Sequence, residues 1–237
     1  MNALFALDEY RLIPKSQGQD EIPDDFKKKG AMIKQILSGC AICILAMISW
    51  ANSSVKNEAV KREVSFEACH FRMNDPYGGT LTAMDGDKVA NYYATINPKA
   101  SHLFDTWIQF SCRSATDTKA FSELAGIRMT SRGWAIDPQS GYPDIKGTHT
   151  TFHSLHGKGW NGGGVTMDDT NGDEVRRIRT YGFCISHEQI ALCGMVQHVG
   201  YLQHLNESVL PQVIKMLNSI EFVDDPSMES ANSLSSL

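Results

Sequence analysis

The sequence predicts an α+β domain, an antiparallel sheet flanked by helices, preceded by an N-terminal hydrophobic signal or anchor segment. Three observations carry this reading. Strand-like runs follow one another between turn signals, with only one or two segments of helical period among them. The stretch 163–199 has the pattern of an antiparallel meander. Ahead of the domain, Ile36 to Ala51 contains sixteen residues and no charge.

The greasy run is short for a membrane span, which needs roughly 20 apolar residues, and suits the centre of a signal peptide, about 7–15 residues. Lys27, Lys28, Lys29 and Lys34 supply the positive flank, and Ser49-Trp50-Ala51 ends it with small residues where a signal peptidase reads. Cleavage is expected near Ala51. Residues 1–31 are polar and unpatterned, so they form an N-terminal extension, or Met32 is the true start. Uncleaved, 32–51 would anchor the chain in the inner membrane; either way the remainder is exported to the periplasm. A buried core helix is disfavoured because helices of a soluble core are rarely apolar all round. Leu37-Ser38-Gly39-Cys40 matches a lipoprotein box, but the apolar run continues past Cys40 instead of ending there.

The six cationic and six anionic residues up to Ala51 cancel, so the net charge of −5 belongs to the exported part. No basic stripe is present to face phosphates, which argues against a nucleic-acid partner. Four cysteines remain beyond the label: Cys69, Cys112, Cys184 and Cys193. An even number in an oxidising compartment suggests disulfides. If Glu188 and Gln189 are the central residues of a tight turn, Cys184 faces Cys193 directly across a hairpin, which leaves Cys69 for Cys112. Four free thiols are the alternative; metal ligation by these four is disfavoured because no C-x-x-C pair occurs among them.

Along the exported part, 52–64 is polar and charged and reads as a linker, and 65–224 as one domain. Strands are expected at 66–73, 80–84 and 106–113, the last rich in β-branched and aromatic residues. Segment 116–126 begins with Thr116 or Asp117 as cap and ends at Gly126, the signature of a helix. Two prolines and three glycines make 132–147 an exposed loop. A strand is expected at 148–155. Asn171-Gly172 is expected to close a tight hairpin, and 189–199 returns as a third strand of the meander. Val209, Leu210, Val213, Met216, Leu217 and Ile220 recur at helical spacing, with Asn206 or Ser208 able to cap and Pro211 in the first turn. "SIEFV" follows as a short closing strand. The Ser-rich tail 225–237 lacks apolar pattern and is expected to be disordered.

The closing "VLPQVIKMLNSIEFVDD" resembles the last helix and strand of the PsbP-like fold, found in small exported bacterial proteins. It is similar to periplasmic immunity proteins that neutralise phospholipase effectors of type VI secretion. That resemblance covers about 20 residues and carries no site residues with it. It implies a protein partner, a secreted lipase-type toxin.

Motifs that could carry chemistry are few. "GKGWNGGG", 157–164, holds G-x-G-x-x-G, but a strand and a turn follow it where a dinucleotide site needs a helix N-terminus. As a flexible loop it would present Trp160 to a partner; the alternative is that Trp160 folds back onto the sheet. His149, His153 and His156 would stand about 13 Å apart along one strand face or on opposite faces, too far to share a zinc. "DDTNGDE", 168–174, has its glycine too early for a calcium loop. No G-x-S-x-G or H-E-x-x-H motif occurs. Arg177 and Arg179 share a face if both lie on one strand and could clasp an acidic partner.

The functional expectation is therefore a non-enzymatic periplasmic binding protein without cofactor or metal, most concretely an immunity or inhibitor protein that occludes a secreted toxin. Trp134 and Tyr142 from 132–147, Trp160, Arg177 and Arg179 form its expected contact surface. Membrane contact is expected only through an uncleaved N-terminal segment. The alternative is a periplasmic metal-binding protein or hydrolase that uses the histidines.

Overall fold

The computed structural model describes residues 59–83, 86–144 and 146–223. The signal or anchor segment, the lipoprotein box and the tail 225–237 lie outside the described residues, as does most of the expected linker.

Twelve strands and two eight-residue α-helices make up the described chain, together with short 3-10 turns. The fold is predominantly β, built from three antiparallel sheets, which corrects the α+β expectation. Four segments account for the difference. β1 (Val60–Phe66) occupies the end of the expected linker and pairs with β2 (Cys69–Asp75) through the two-residue turn Glu67-Ala68. A single strand over 66–73 is thus a hairpin, with Glu67 taking the left-handed backbone of the turn (φ 48°). After β3 (Thr80–Thr82) comes β4 (Val89–Ala94), whose Ala90, Tyr92 and Ala94 alternate into the core. Beyond β5 (Thr106–Ser114) and α1 (Thr118–Ala125), β6 (Ile127–Thr130) and β7 (Gly133–Ile136) form a small hairpin where a loop was expected.

The helix α1 has the expected ends. Asp117 accepts a hydrogen bond from the Ala120 N–H at 3.0 Å, and Gly126 turns left-handed (φ 63°) to close it. β8 (Thr151–Gly157), β9 (Trp160–Asp168), β10 (Ile178–His187) and β11 (Ile190–Tyr201) form the meander. Asn171-Gly172 does not close a two-residue hairpin. β9 and β10 are joined by residues 169–177, with a 3-10 turn over Glu174–Arg176 capped by Asp173. The chain closes with α2 (Leu210–Leu217), which has Pro211 in its first turn, and β12 (Glu221–Phe222), which pairs with β2. The Ser208 hydroxyl accepts from the Leu210 N–H, though Val209 is the capping position.

The main sheet runs β3-β4-β5-β11-β10-β9-β8. Its β4 and β5 bury alternate residues on one face, whereas its β9–β11 part is covered on both faces. On one, Ile108, Phe110, Tyr181, Phe183, Leu192 and Val196 pack beneath the small sheet β1-β2-β12 and the apolar side of α2. On the other, Val165, Cys184, Ala191 and Cys193 lie under Phe121 and Ala125 of α1 and Ile127 of β6. A sheet wrapped on both faces reads as nearly continuous apolar sequence, as the five consecutive buried residues Tyr181–Ile185 show.

Both expected disulfides are present. Cys184 and Cys193 are direct cross-strand partners in the β10–β11 hairpin, whose two central residues are Glu188 and Gln189, with Glu188 left-handed (φ 50°). Cys69 and Cys112 join β2 to β5, and thereby one layer to the other. Buried disulfides of this kind belong to an oxidising, extracytoplasmic compartment. No helix among the described residues is long and apolar enough to cross a membrane.

The two bridges close loops of very different length, with sequence separations of 43 and 9. Chain entropy alone assigns them roughly 4 and roughly 2.5 kcal/mol. The Cys69→Ala/Cys112→Ala double variant is therefore expected to melt at a lower temperature than Cys184→Ala/Cys193→Ala. Thermal unfolding followed by circular dichroism checks the order; an equal or reversed order would show that packing around the hairpin bridge dominates.

Candidate protein-binding cleft

The β6–β7 hairpin leaves α1 at Gly126 and folds across β8 and β9. Its register places Met129 opposite Trp134. Cross-strand partners share a face, so both side chains project together. The Trp134 ring meets Phe121 of α1 edge-on, with centroids 5.0 Å apart, and its indole N–H donates to Asn161 Oδ1 at 2.7 Å. Met129 remains 55% exposed, unusual for a thioether in a compact domain. Between this hairpin and the sheet lies an open cleft of about 400 Å³, lined by Met129, Arg132 and Trp134 on one side and Phe152, Ser154 and His156 of β8 on the other. Gly163 shapes its floor: a Cβ there would stand 2.5 Å from the Phe152 ring. The glycine run is thus a packing device in a strand. Gly157 ends β8, Gly159 turns the chain (φ 76°), and Gly162 lies within β9, so no helix N-terminus stands after them.

Of the five residues expected to contact a partner, only Trp134 lines this cleft. Trp160 is 5% exposed. It folds back over Gly157 and donates its indole N–H to the Ile220 carbonyl at 2.8 Å, tying the β8–β9 hairpin to the end of the chain. Tyr142 lies against Gly126 and donates its hydroxyl to the Glu123 carbonyl at 2.6 Å; burial, with Glu123 nearby, raises its pKa. It straps the 138–144 segment onto α1 instead of offering a ring to solvent. Arg177 lies immediately before β10, outside the strand that carries Arg179. Arg179 is engaged within the molecule: its Nε and one terminal nitrogen donate to the two oxygens of Asp168 at 2.6 and 3.1 Å. That bidentate pair gives the guanidinium an internal carboxylate partner.

The histidines are dispersed. His149 pairs its Nδ1 with Asp168 Oδ2 at 2.9 Å, His153 lies edge-on to Tyr181, and His156 lines the cleft on the opposite face from His153. Among the described residues no three His, Cys, Asp or Glu side chains are grouped to hold a metal ion. Burial and the Arg179 charge both lower the His153 pKa.

Met129 is the cleft residue that sequence reasoning missed. Its signal was available, since a methionine paired across a short hairpin from a tryptophan forms an apolar face. The hairpin itself was hidden by the glycine- and proline-rich stretch beside it. No protein-family model matches the sequence, and a search of curated proteins finds no match.

Two titrating groups outside the cleft give sharp tests of the fold that holds it. Asp168 is 4% exposed. Burial would raise its pKa, but the hydrogen bonds from Arg179 and His149 outweigh that and hold it below the usual carboxylate range. A depressed folded pKa contributes stability that is full above the ordinary value of about 3.9 and is lost as pH falls through the folded value. Asp168→Asn is expected to cost on the order of 3 kcal/mol at pH 7, because it strands the Arg179 charge. The gap to the parent should narrow below about pH 4, as urea unfolding at several pH values will show.

His198 stacks on Phe104 with centroids 3.9 Å apart, and burial lowers its pKa to about 4. Its neutral form is the folded one, so protonation of the unfolded chain removes stability as pH falls from about 6.5 toward that value. His198→Gln is expected to flatten the loss of melting temperature between pH 7 and pH 5; an unchanged slope would place the acid sensitivity elsewhere.

Proposed function

We propose that this chain is an exported binding protein of the bacterial periplasm that inhibits a secreted toxin, most concretely a lipase-type effector, by covering its working surface. The observation that carries this reading is the open cleft beside β8, where an exposed methionine and a half-buried tryptophan face solvent together. Aromatic and thioether side chains in a rigid concave site are the anchors that protein interfaces use. Trp134 is held by Phe121 and Asn161, so little side-chain freedom is lost when a partner binds. The disulfides fit a protein that works outside the cytosol. The likeness of the closing helix and strand to periplasmic immunity proteins supports the choice of partner.

A photo-crosslinking residue at position 129 of the full chain, expressed in its exporting cell, tests the reading. The adduct is expected to contain a hydrolase whose activity falls to background when one equivalent of the purified chain is added. Met129→Asp should restore most of that activity, since a charge buried against an apolar anchor weakens binding by roughly 2 kcal/mol or more. A captured protein that keeps its full activity in the saturated complex would overturn the inhibitor assignment.

A further inference from the structure

β8 is an outer strand of the main sheet, paired with β9 on one side only. The register shows which of its backbone groups are unused. Gly157 and Trp160 close the β8–β9 turn, and the ladder alternates from there, so Thr151, His153 and Leu155 exchange hydrogen bonds with β9. Phe152, Ser154 and His156 consequently turn their N–H and C=O groups outward. The His156 N–H confirms the parity: it donates to Asn218 Oδ1 at 3.1 Å, a side chain outside the sheet. Among the described residues the outward amides of Phe152 and Ser154 have no recorded acceptor. The same three residues direct their side chains into the cleft under the β6–β7 hairpin.

We infer that this edge is a strand-addition site: an extended, acidic segment of a partner protein pairs with Thr151–Leu155 and sets alternate side chains into the cleft beside Met129 and Trp134. The inference rests on the binding-protein reading and specifies its mode. Unpaired backbone groups along a strand are satisfied best by another strand, since a helix has no free N–H or C=O to offer along its length. An incoming strand in register would place every second side chain on the cleft face, because strands alternate. Charge selects the partner. Arg132 lines the cleft and Lys158 stands at the adjoining turn, while no Asp or Glu is among the lining residues. A second copy of this chain is the poorer occupant, since its own β8 carries no carboxylate to meet Arg132 and Lys158. Asn218 bounds the site by occupying the His156 amide, leaving room for a short ladder only.

Selection of peptides of about twelve residues from a random displayed library on the immobilised full chain tests this. Enriched peptides are expected to carry Asp or Glu at alternate positions. The best of them would then be synthesised with its backbone amides N-methylated at every second residue, in the two possible phases. A strand uses one edge only, so one phase should lose roughly tenfold or more in affinity while the other binds like the parent. Ser154→Pro should match the losing phase; the Ser154 N–H points away from β9, so proline removes no bond of the fold. Equal behaviour of the two phases, or failure of any peptide to enrich, overturns the proposal. A dimer of the full chain that Ser154→Pro dissociates would also overturn it, by identifying a second copy as the occupant. If instead the hydrolase captured through position 129 is still inhibited by Ser154→Pro at undiminished affinity, the binding-protein reading stands and strand pairing is removed from it.

Discussion

Burial of the middle of the main sheet on both faces is the constraint from which the rest of this structure follows. β10 and the adjoining parts of β9 and β11 cannot divide into an inner and an outer side, because β1-β2-β12 with α2 covers one face and α1 with the β6–β7 hairpin covers the other. Each position there must therefore be apolar or small enough to fit beneath a cover. Glycine serves the second purpose. A Cβ at Gly182 would stand 2.4 Å from the Leu124 carbonyl, so the end of α1 rests on the strand backbone itself. Two carboxylates that enter this interior arrive with partners: Asp75 accepts from the Tyr92 hydroxyl, the Tyr77 amide and Arg62, and Asp168 from Arg179 and His149. A carboxylate placed there alone would cost several kcal/mol, roughly the whole margin by which a domain of this size is stable.

The disulfides reinforce the same arrangement at different levels. Cys184–Cys193 fixes the register of a hairpin that its two-residue turn already specifies. Cys69–Cys112 fastens the covering sheet to the covered one, a contact between residues 43 apart in sequence for which no local signal exists. The longer bridge thus guards the step with the greater entropic cost, the docking of one layer on another. Trp160 performs a related task without a covalent bond, since its indole joins the β8–β9 hairpin to the carbonyl of Ile220 at the far end of the chain.

What the sequence disclosed follows from locality. The caps of α1 and the Glu188-Gln189 turn are encoded within a few residues, and so was the Cys184–Cys193 pair that depends on that turn. Strands whose own residues carry mixed signals were opaque, even where the partner is the next strand along the chain. β1 carries Lys61, Arg62 and Glu63, and its charges read as a linker because the alternation that buries Val64 and Phe66 begins late in it. The β6–β7 hairpin was masked by Pro138, Gly141 and Pro143 just beyond it, and with it the exposed Met129. Trp160 was misplaced for the opposite reason: its glycine neighbours suggested a free loop, whereas Gly157 supplies the room for the ring to fold inward. The α+β expectation failed on the same count, because β1, β6 and β7 carry charges, or neighbouring glycines and prolines, that resemble a linker or a loop.

The main sheet still ends at its edges, and the two ends differ. β3 is three residues long, which leaves little backbone to pair. β8 is seven residues long, and among the described residues its outer amides are answered only at His156, by Asn218. Proteins commonly shorten, charge or cover such an edge to prevent indiscriminate association. Here the nearest cover, the β6–β7 hairpin, stands off far enough to leave a cleft, and that cleft is lined by Arg132 and by no carboxylate. An edge left open beside a rigid aromatic and a cation is the surface on which the proposed binding rests. Within the main sheet the folding constraint and the binding reading therefore meet at one strand: its other long strands, β4, β5, β9, β10 and β11, are paired on both sides, and β8 is the long strand left open.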